Sequence, residues 1–416
     1  MTERKQIIGN TVALGFMQAA NYLTPLLVIP FLFRVIGKEG YGQVIFIQAI
    51  MSYFNIIVDY GFNLTGTRTI GQCTSSEERN TAFIRIQISK IVLLFATVIP
   101  FIGIILWLDT PQDRLNYFYG FLMVVGNAFF PVWYFQGIKK MRILTIINVI
   151  SKFISIGLIF LFIRESTQIG ATILLLSSGW LISGLIGFGI ALKLENFRIQ
   201  IPPYRAIMKE LKLGWHVFIS RVLVSTYGST NVLILGYYAG DGAVGIFGVA
   251  DKMIKAGSSL AQPLVQATFP NMAQWFISQR DKYIKMRRQF TLGLSVVFVV
   301  GAFVIYYLAG PIAILLQGNK DENIVNLLHV TSFVILLLPF GPIFSNFFVI
   351  EHKERKMSRI LLYSAILNFI VIIPLVKAYA EIGVLYTLII VYAFVSLMKG
   401  LNLFLNTNSL RNYGNV

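Results

Sequence analysis

Ionisable side chains lie inside apolar runs long enough to cross a bilayer, among them Asp59, Lys90, Lys152, Arg221, Asp251 and Lys255. A charge at the centre of a bilayer costs about 2.5–3.5 kcal/mol even on lenient insertion scales, so a chain keeps one where it meets a partner or a water-filled cavity. Lys90, Lys152 and Arg221 sit near mid-membrane, roughly eight to ten residues into their runs at about 1.5 Å per residue. Arg221 is the strongest candidate for ligand contact. Its guanidinium fork matches phosphate oxygens, and Ser225, Thr226, Ser229, Thr230 and Asn231 follow it. Asp251 and Lys255 are four apart with the acid first, so they can neutralise each other or face a ligand. Lys252 points elsewhere and has the shorter route out. Asn55, Asp59 and Asn63 are each four apart, which puts them on one helix face that must look away from lipid. Arg68, close to the end of that run, reads as a side chain that snorkels to the headgroups. The excess charge is positive, so the expected cavity is cationic and suits an anionic passenger.

The elements that position these residues are membrane helices. The chain has 416 residues, of which 56% are hydrophobic and 13% charged. Apolar runs of spanning length recur throughout and do not alternate as barrel strands do, so the fold class is all-α membrane protein. The net charge of +17 could suggest nucleic acid, but the basic residues gather in alternate loops, the pattern that orients membrane helices. A single cysteine, Cys73, excludes an intramolecular disulfide and a cysteine metal site; His216, His329 and His352 are scattered. No cofactor and no metal is expected.

Twelve spans are predicted, over residues 9–33, 42–71, 82–107, 115–136, 143–163, 169–192, 214–238, 242–270, 289–316, 324–350, 357–376 and 382–405. Basic clusters such as Lys139–Lys140–Arg142, Lys282–Lys285–Arg288 and Lys353–Arg355–Lys356 then fall on the side of the N-terminus. The opposite side holds only scattered ones such as Arg34, Arg114 and Lys320. Both termini are therefore expected in the cytoplasm. The apolar run after the basic start is longer than a signal-peptide core and is read as a retained first span.

The longest basic loop, Lys193 to Lys212, divides the chain into six spans and six spans. The expected organisation is an N-terminal lobe over 1–192, an inter-lobe linker over 193–213 with an amphipathic stretch after Pro202-Pro203, and a C-terminal lobe over 214–416. Gly37 and Gly42 recur as Gly240 and Gly245 at one offset, 203 residues, which suggests two related halves. In the first span, Asn10, Gln18 and Asn21 precede Pro25 and Pro30, prolines that bend a helix and would suit a gate as well as a packed kink. Trp133 and Tyr134 read as aromatic anchors at the membrane interface.

Three stretches carry a resemblance: NYLTPLLVIPFLFRVIGKEGYG, YFNIIVDYGFNLTGTRTIG and FPVWYFQGIKKMRILTIINVISK. They resemble the polysaccharide transporter family of the multidrug/oligosaccharidyl-lipid/polysaccharide exporter superfamily, and within it the Wzx-type O-antigen flippases. The resemblance runs over essentially the whole chain. It implies two six-helix lobes in a V-shaped, MATE-like exporter fold with spans one, two, seven and eight lining a central cavity. It implies transport rather than enzymatic catalysis. The implied passenger is an undecaprenyl-diphosphate-linked oligosaccharide repeat unit, moved from the cytoplasmic to the periplasmic leaflet of the bacterial inner membrane by alternating access.

On that reading Arg221, Lys255, Lys152, Lys90, Asn21 and Asn63 are the expected substrate contacts. Asp59 and Asp251 are the expected carboxylates for coupling to a proton or sodium gradient. Membrane lipids and O-antigen assembly proteins are the candidate partners, and nucleic acid is not one. Two rivals remain. A multidrug exporter of the same superfamily would carry organic cations, which a cationic cavity repels. A membrane glycosyltransferase or polymerase would need a catalytic carboxylate arrangement or a large extramembrane loop, and the chain shows neither.

Overall fold

The computed structural model describes residues 27–195, 202–318 and 321–404. Asn21, most of the predicted first span and the last twelve residues lie outside these. Among the described residues every element is an α-helix. Eight helical stretches are long and apolar enough to cross a membrane. Two of these, Tyr204–Ser258 and Glu354–Leu403, are each interrupted within the run, at Gly240 (φ 77°) and Ala380 (φ 47°).

The chain forms two compact units. Unit 1 takes Val35–Ser225, and unit 2 takes Thr226–Val416 with Pro25–Arg34. Unit 1 contains α1 (Gly37–Asp59), α2 (Phe62–Gln72), α3 (Ser76–Trp107), α4 (Pro111–Phe129), α5 (Val132–Gly137), α6 (Met141–Phe162), α7 (Ile169–Glu195) and α8 (Tyr204–Ser225). Its most extensive pairing joins α4 to α7. Gly126 and Gly184 make that approach possible: a Cβ on Gly184 would run into the carbonyl of Gly126. The amphipathic stretch after Pro203 and the first half of the predicted seventh span are one continuous helix, α8, tied to α3 by an ion pair between Glu210 and Arg85.

Trp133 and Tyr134 are not interfacial anchors. Both are fully buried and pack with Phe62, Phe83 and Phe135 in the core of unit 1. Pro131 is the reason. It has no N–H to continue α4, so the chain turns and α5 begins as a short helix tucked inside the unit.

Unit 2 contains α9 (Ser229–Ser278), α10 (Arg280–Gln317), α11 (Glu322–Leu337), α12 (Phe340–Ile350) and α13 (Glu354–Phe404). Its core gathers Phe276, Tyr283, Leu294, Ile343, Phe347 and Phe348. Glu351 is fully buried there and accepts from Arg287 Nη1 at 2.6 Å, Lys353 Nζ at 2.6 Å and Tyr283 Oη at 2.9 Å. Near the start of α9, Asn231 and Asn368 exchange reciprocal side-chain hydrogen bonds, and Tyr227 Oη meets Ser364 Oγ at 2.6 Å.

The two units share local backbone features. Gly37 and Gly240, the glycines 203 residues apart, both take left-handed φ, 72° and 77°. α5 and α12 each follow a proline and close alike: Lys139 and His352 have φ of 59° and 54°, and the amides of Lys140 and Lys353 donate back to the carbonyls of Phe135 and Phe348.

Candidate functional site

In unit 1 the charged candidates converge on a broken helix. α1 stops at Asp59 because Tyr60 (φ 41°) and Gly61 (φ 89°) both adopt left-handed backbone, and α2 starts anew at Phe62. A continuous helix would have put Asp59 and Asn63 on one face. The break leaves them in contact by another route, with Asn63 Nδ2 donating to Asp59 Oδ2 at 2.8 Å. The break is held from outside by α8: Tyr60 stacks on Phe218 with ring centroids 4.6 Å apart, and Gly214 lies against the Tyr60 carbonyl and ring. That contact sets the register of α8 and brings Arg221, one turn further on, to the carboxylate.

Asp59 is shared between two cations. Lys90 Nζ lies 3.4 Å from Oδ1, and Arg221 Nη1 donates to Oδ2 at 3.1 Å. Lys90 is 1% exposed and its ammonium also donates to the carbonyl of Asn127 at 2.9 Å. That acceptor exists because residue 131, four positions after Asn127, is a proline and has no N–H to give it. The carbonyl of Ala128 is likewise taken by Gln87 Nε2 at 3.0 Å. Five elements, α1, α2, α3, α4 and α8, thus build one site.

The site carries one more positive charge than negative. Its carboxylate is 13% exposed, while Arg221 is 34% exposed. Among the described residues Asp59 is the one hydrogen-bond partner of Arg221, made through one nitrogen. The remaining guanidinium donors are uncommitted. Such a group, oriented by a near-buried acid and open on its far side, can take an oxyanion in bidentate geometry. The N-terminus of α2 beside it adds partial positive charge.

Lys152 lies on α6 of unit 1, half-buried. Asp251 and Lys255 belong to α9 in unit 2, where Lys255 Nζ donates to Asp251 Oδ2 at 2.6 Å. Lys255 is 53% exposed and Asp251 12%, so this pair has one partner that is largely open and one that is largely buried. Arg68 is exposed at the far end of α2, as a snorkelling side chain would be. Among the described residues no group of His, Cys, Asp or Glu could hold a metal ion.

The sequence marked Lys90 and Arg221 singly and set Asp59 and Asn63 on one helix face, without the convergence of all four. It missed the carbonyl of Asn127, for which Pro131 was the available signal. It also missed Asn368 and Ser364, small polar residues in an apolar run with no charge to draw notice.

Residues 7–276 match the model of the family described as "Polysaccharide biosynthesis protein". A protein of Escherichia coli (strain K12) named "Putative O-antigen transporter" is 31% identical over 394 residues, covering 93% of this chain and 94% of that protein. One of the same name from Shigella dysenteriae is 28% identical over 394 residues, covering 93% and 98%. Among solved structures, the lipid II flippase MurJ in an inward closed conformation aligns with a TM-score of 0.69 at 15% identity, over 95% of this chain and 87% of that one. An inward-facing MATE multidrug transporter of the MOP superfamily aligns at 0.68 and 14%, over 93% and 98%. These two likenesses show the fold, a MATE- and MurJ-like bundle of membrane helices.

Proposed function

The chain belongs to the polysaccharide biosynthesis protein family, and from that premise we propose that it is a flippase for an undecaprenyl-diphosphate-linked O-antigen repeat unit. The passenger would move from the cytoplasmic to the periplasmic leaflet of the bacterial inner membrane by alternating access. The names borne by its relatives support the passenger class. The observation that carries the reading is Arg221, with one nitrogen anchored on Asp59 and the rest of its guanidinium open.

In this reading the diphosphate takes the free donors of Arg221. Asp59 orients that fork and keeps the net charge low enough for the helices to pack. Lys90 holds Asp59 in place from the buried side and adds long-range attraction. Lys255, with protons to spare beyond Asp251, is a second cation for the passenger, and Lys152 a third. Asp251 is the better carboxylate for gradient coupling: among the described residues its ion pair is with one largely exposed cation, where Asp59 is paired with two cations, one of them fully buried.

Complementation tests the proposal. A strain lacking its own repeat-unit flippase receives the protein or Arg221→Ala, at matched membrane abundance, and surface polysaccharide is read on a gel. The parent should restore polymer and Arg221→Ala should not. Full polymer with Arg221→Ala removes this cluster from substrate binding.

A further inference from the structure

We propose that the exposed basic face at the start of α10 is a binding site for anionic phospholipid headgroups. In α10 the residues Tyr283, Arg287, Thr291, Leu294, Phe298 and Ala302 are buried and form the inward stripe. The opposite stripe is Lys285, Arg288, Leu292, Val296, Val299 and Phe303, at the three- and four-residue spacing of one helix face. All of it is exposed. From Leu292 onward this stripe is wholly apolar, the character of a face turned to acyl chains. Arg288 and Lys285 continue the same face one and two turns earlier, and Lys282 flanks them. A lipid packed along Leu292 and Val296 would bring its headgroup to these cations, about 6 to 10 Å along the helix axis.

Among the described residues none of Lys282, Lys285 and Arg288 has a carboxylate partner. Their buried neighbour Arg287 has its own acid in Glu351. Lys282 is steered instead over the ring of Trp275, 4.3 Å from its centroid, which holds its ammonium beside the tip of α9. A soluble acidic protein would meet these charges equally well, but it would not explain why the cationic face and the lipid face are one stripe. That continuity assigns the occupant as a lipid.

The test uses the full-length protein in neutral detergent. It is titrated with phosphatidylglycerol, with phosphatidylcholine, or with inorganic phosphate, and retained lipid is counted by native mass spectrometry. The parent should retain phosphatidylglycerol over phosphatidylcholine, and the variant Lys282→Gln/Lys285→Gln/Arg288→Gln should lose roughly 10- to 100-fold of that preference. The all-arginine variant, Lys282→Arg/Lys285→Arg, should keep it. An unchanged preference in the glutamine variant overturns the proposal. So does displacement of phosphatidylglycerol by an equal concentration of phosphate, which would mark a free-anion site. Loss of an acidic protein partner by the glutamine variant, with lipid preference intact, overturns it in favour of a protein-docking face.

Discussion

Lys90 donates to the carbonyl of Asn127 at 2.9 Å, the acceptor that Pro131 leaves without a backbone partner. One ammonium thereby closes the end of α4 and holds Asp59, the carboxylate that orients Arg221. The structural and functional parts of the site are joined at this lysine. Disturbing either should be felt in both.

Asp59→Asn leaves the buried Lys90 ammonium without its counter-charge. Breaking a buried pair from one side costs about 3–5 kcal/mol, so the thermal midpoint of the purified protein should fall sharply. The double variant Asp59→Asn/Lys90→Met should recover part of that loss, because the stranded charge is gone. Additive losses in the double variant would mean that the two residues do not act as a pair.

Arg221→Lys keeps the charge and loses the fork. A lysine can satisfy Asp59 or the passenger, but it cannot present two parallel N–H groups to a phosphate. Polymer in the complemented strain should fall to an intermediate level, between the parent and Arg221→Ala. A fully active lysine variant would show that charge alone suffices.

Gly61→Ala should destabilise unit 1 for two separable reasons. The residue has φ of 89°, and an added Cβ would sit 2.7 Å from Val217. A strained left-handed alanine costs of order 1–3 kcal/mol, with the clash in addition. Val217→Gly, which removes both the Cβ and the Cγ1 that lie 2.7 Å away, should return the steric part when the pair is measured against Val217→Gly alone and leave the backbone part, which differential scanning fluorimetry on the four proteins can separate.

Glu351→Gln should destabilise unit 2 more than any exposed charge change. It strands Arg287, which is as buried as Glu351 itself, at about 3–5 kcal/mol. Limited proteolysis should find the connection between α12 and α13 opened in this variant. An unaltered digestion pattern would mean that the apolar core of unit 2 holds that end without the ion network.

Asp251→Asn should abolish the pH dependence of transport measured in vesicles with an imposed proton gradient, while Lys255→Ala should leave a pH dependence in place. A pH profile unchanged by Asp251→Asn removes this carboxylate from coupling.

The sequence by itself determined the all-helical membrane class and the identities of the charges that the membrane would not tolerate singly. Both are local properties. Hydropathy acts on consecutive residues, and a buried charge is costly wherever the helix goes. The Asp251–Lys255 pair was legible in its four-residue spacing, but only the tertiary structure decided how Asp59, Lys90 and Arg221 pair. Arg221 and Asp59 are 162 positions apart, and Lys90 and Asp59 are 31 apart. No periodicity within one run can report which helix faces which.

The break after Asp59 was equally hidden. Gly61 alone permits the turn, but it is the packing of Tyr60 against Phe218 and of Gly61 against Val217, both from α8, that holds it. Trp133 and Tyr134 show the same limit. Aromatic residues beside a basic loop suit the membrane interface on composition, and these two went to the core because Pro131 redirected the chain inward. Composition sets what a residue can do, and the packing of distant helices sets which of those options is realised.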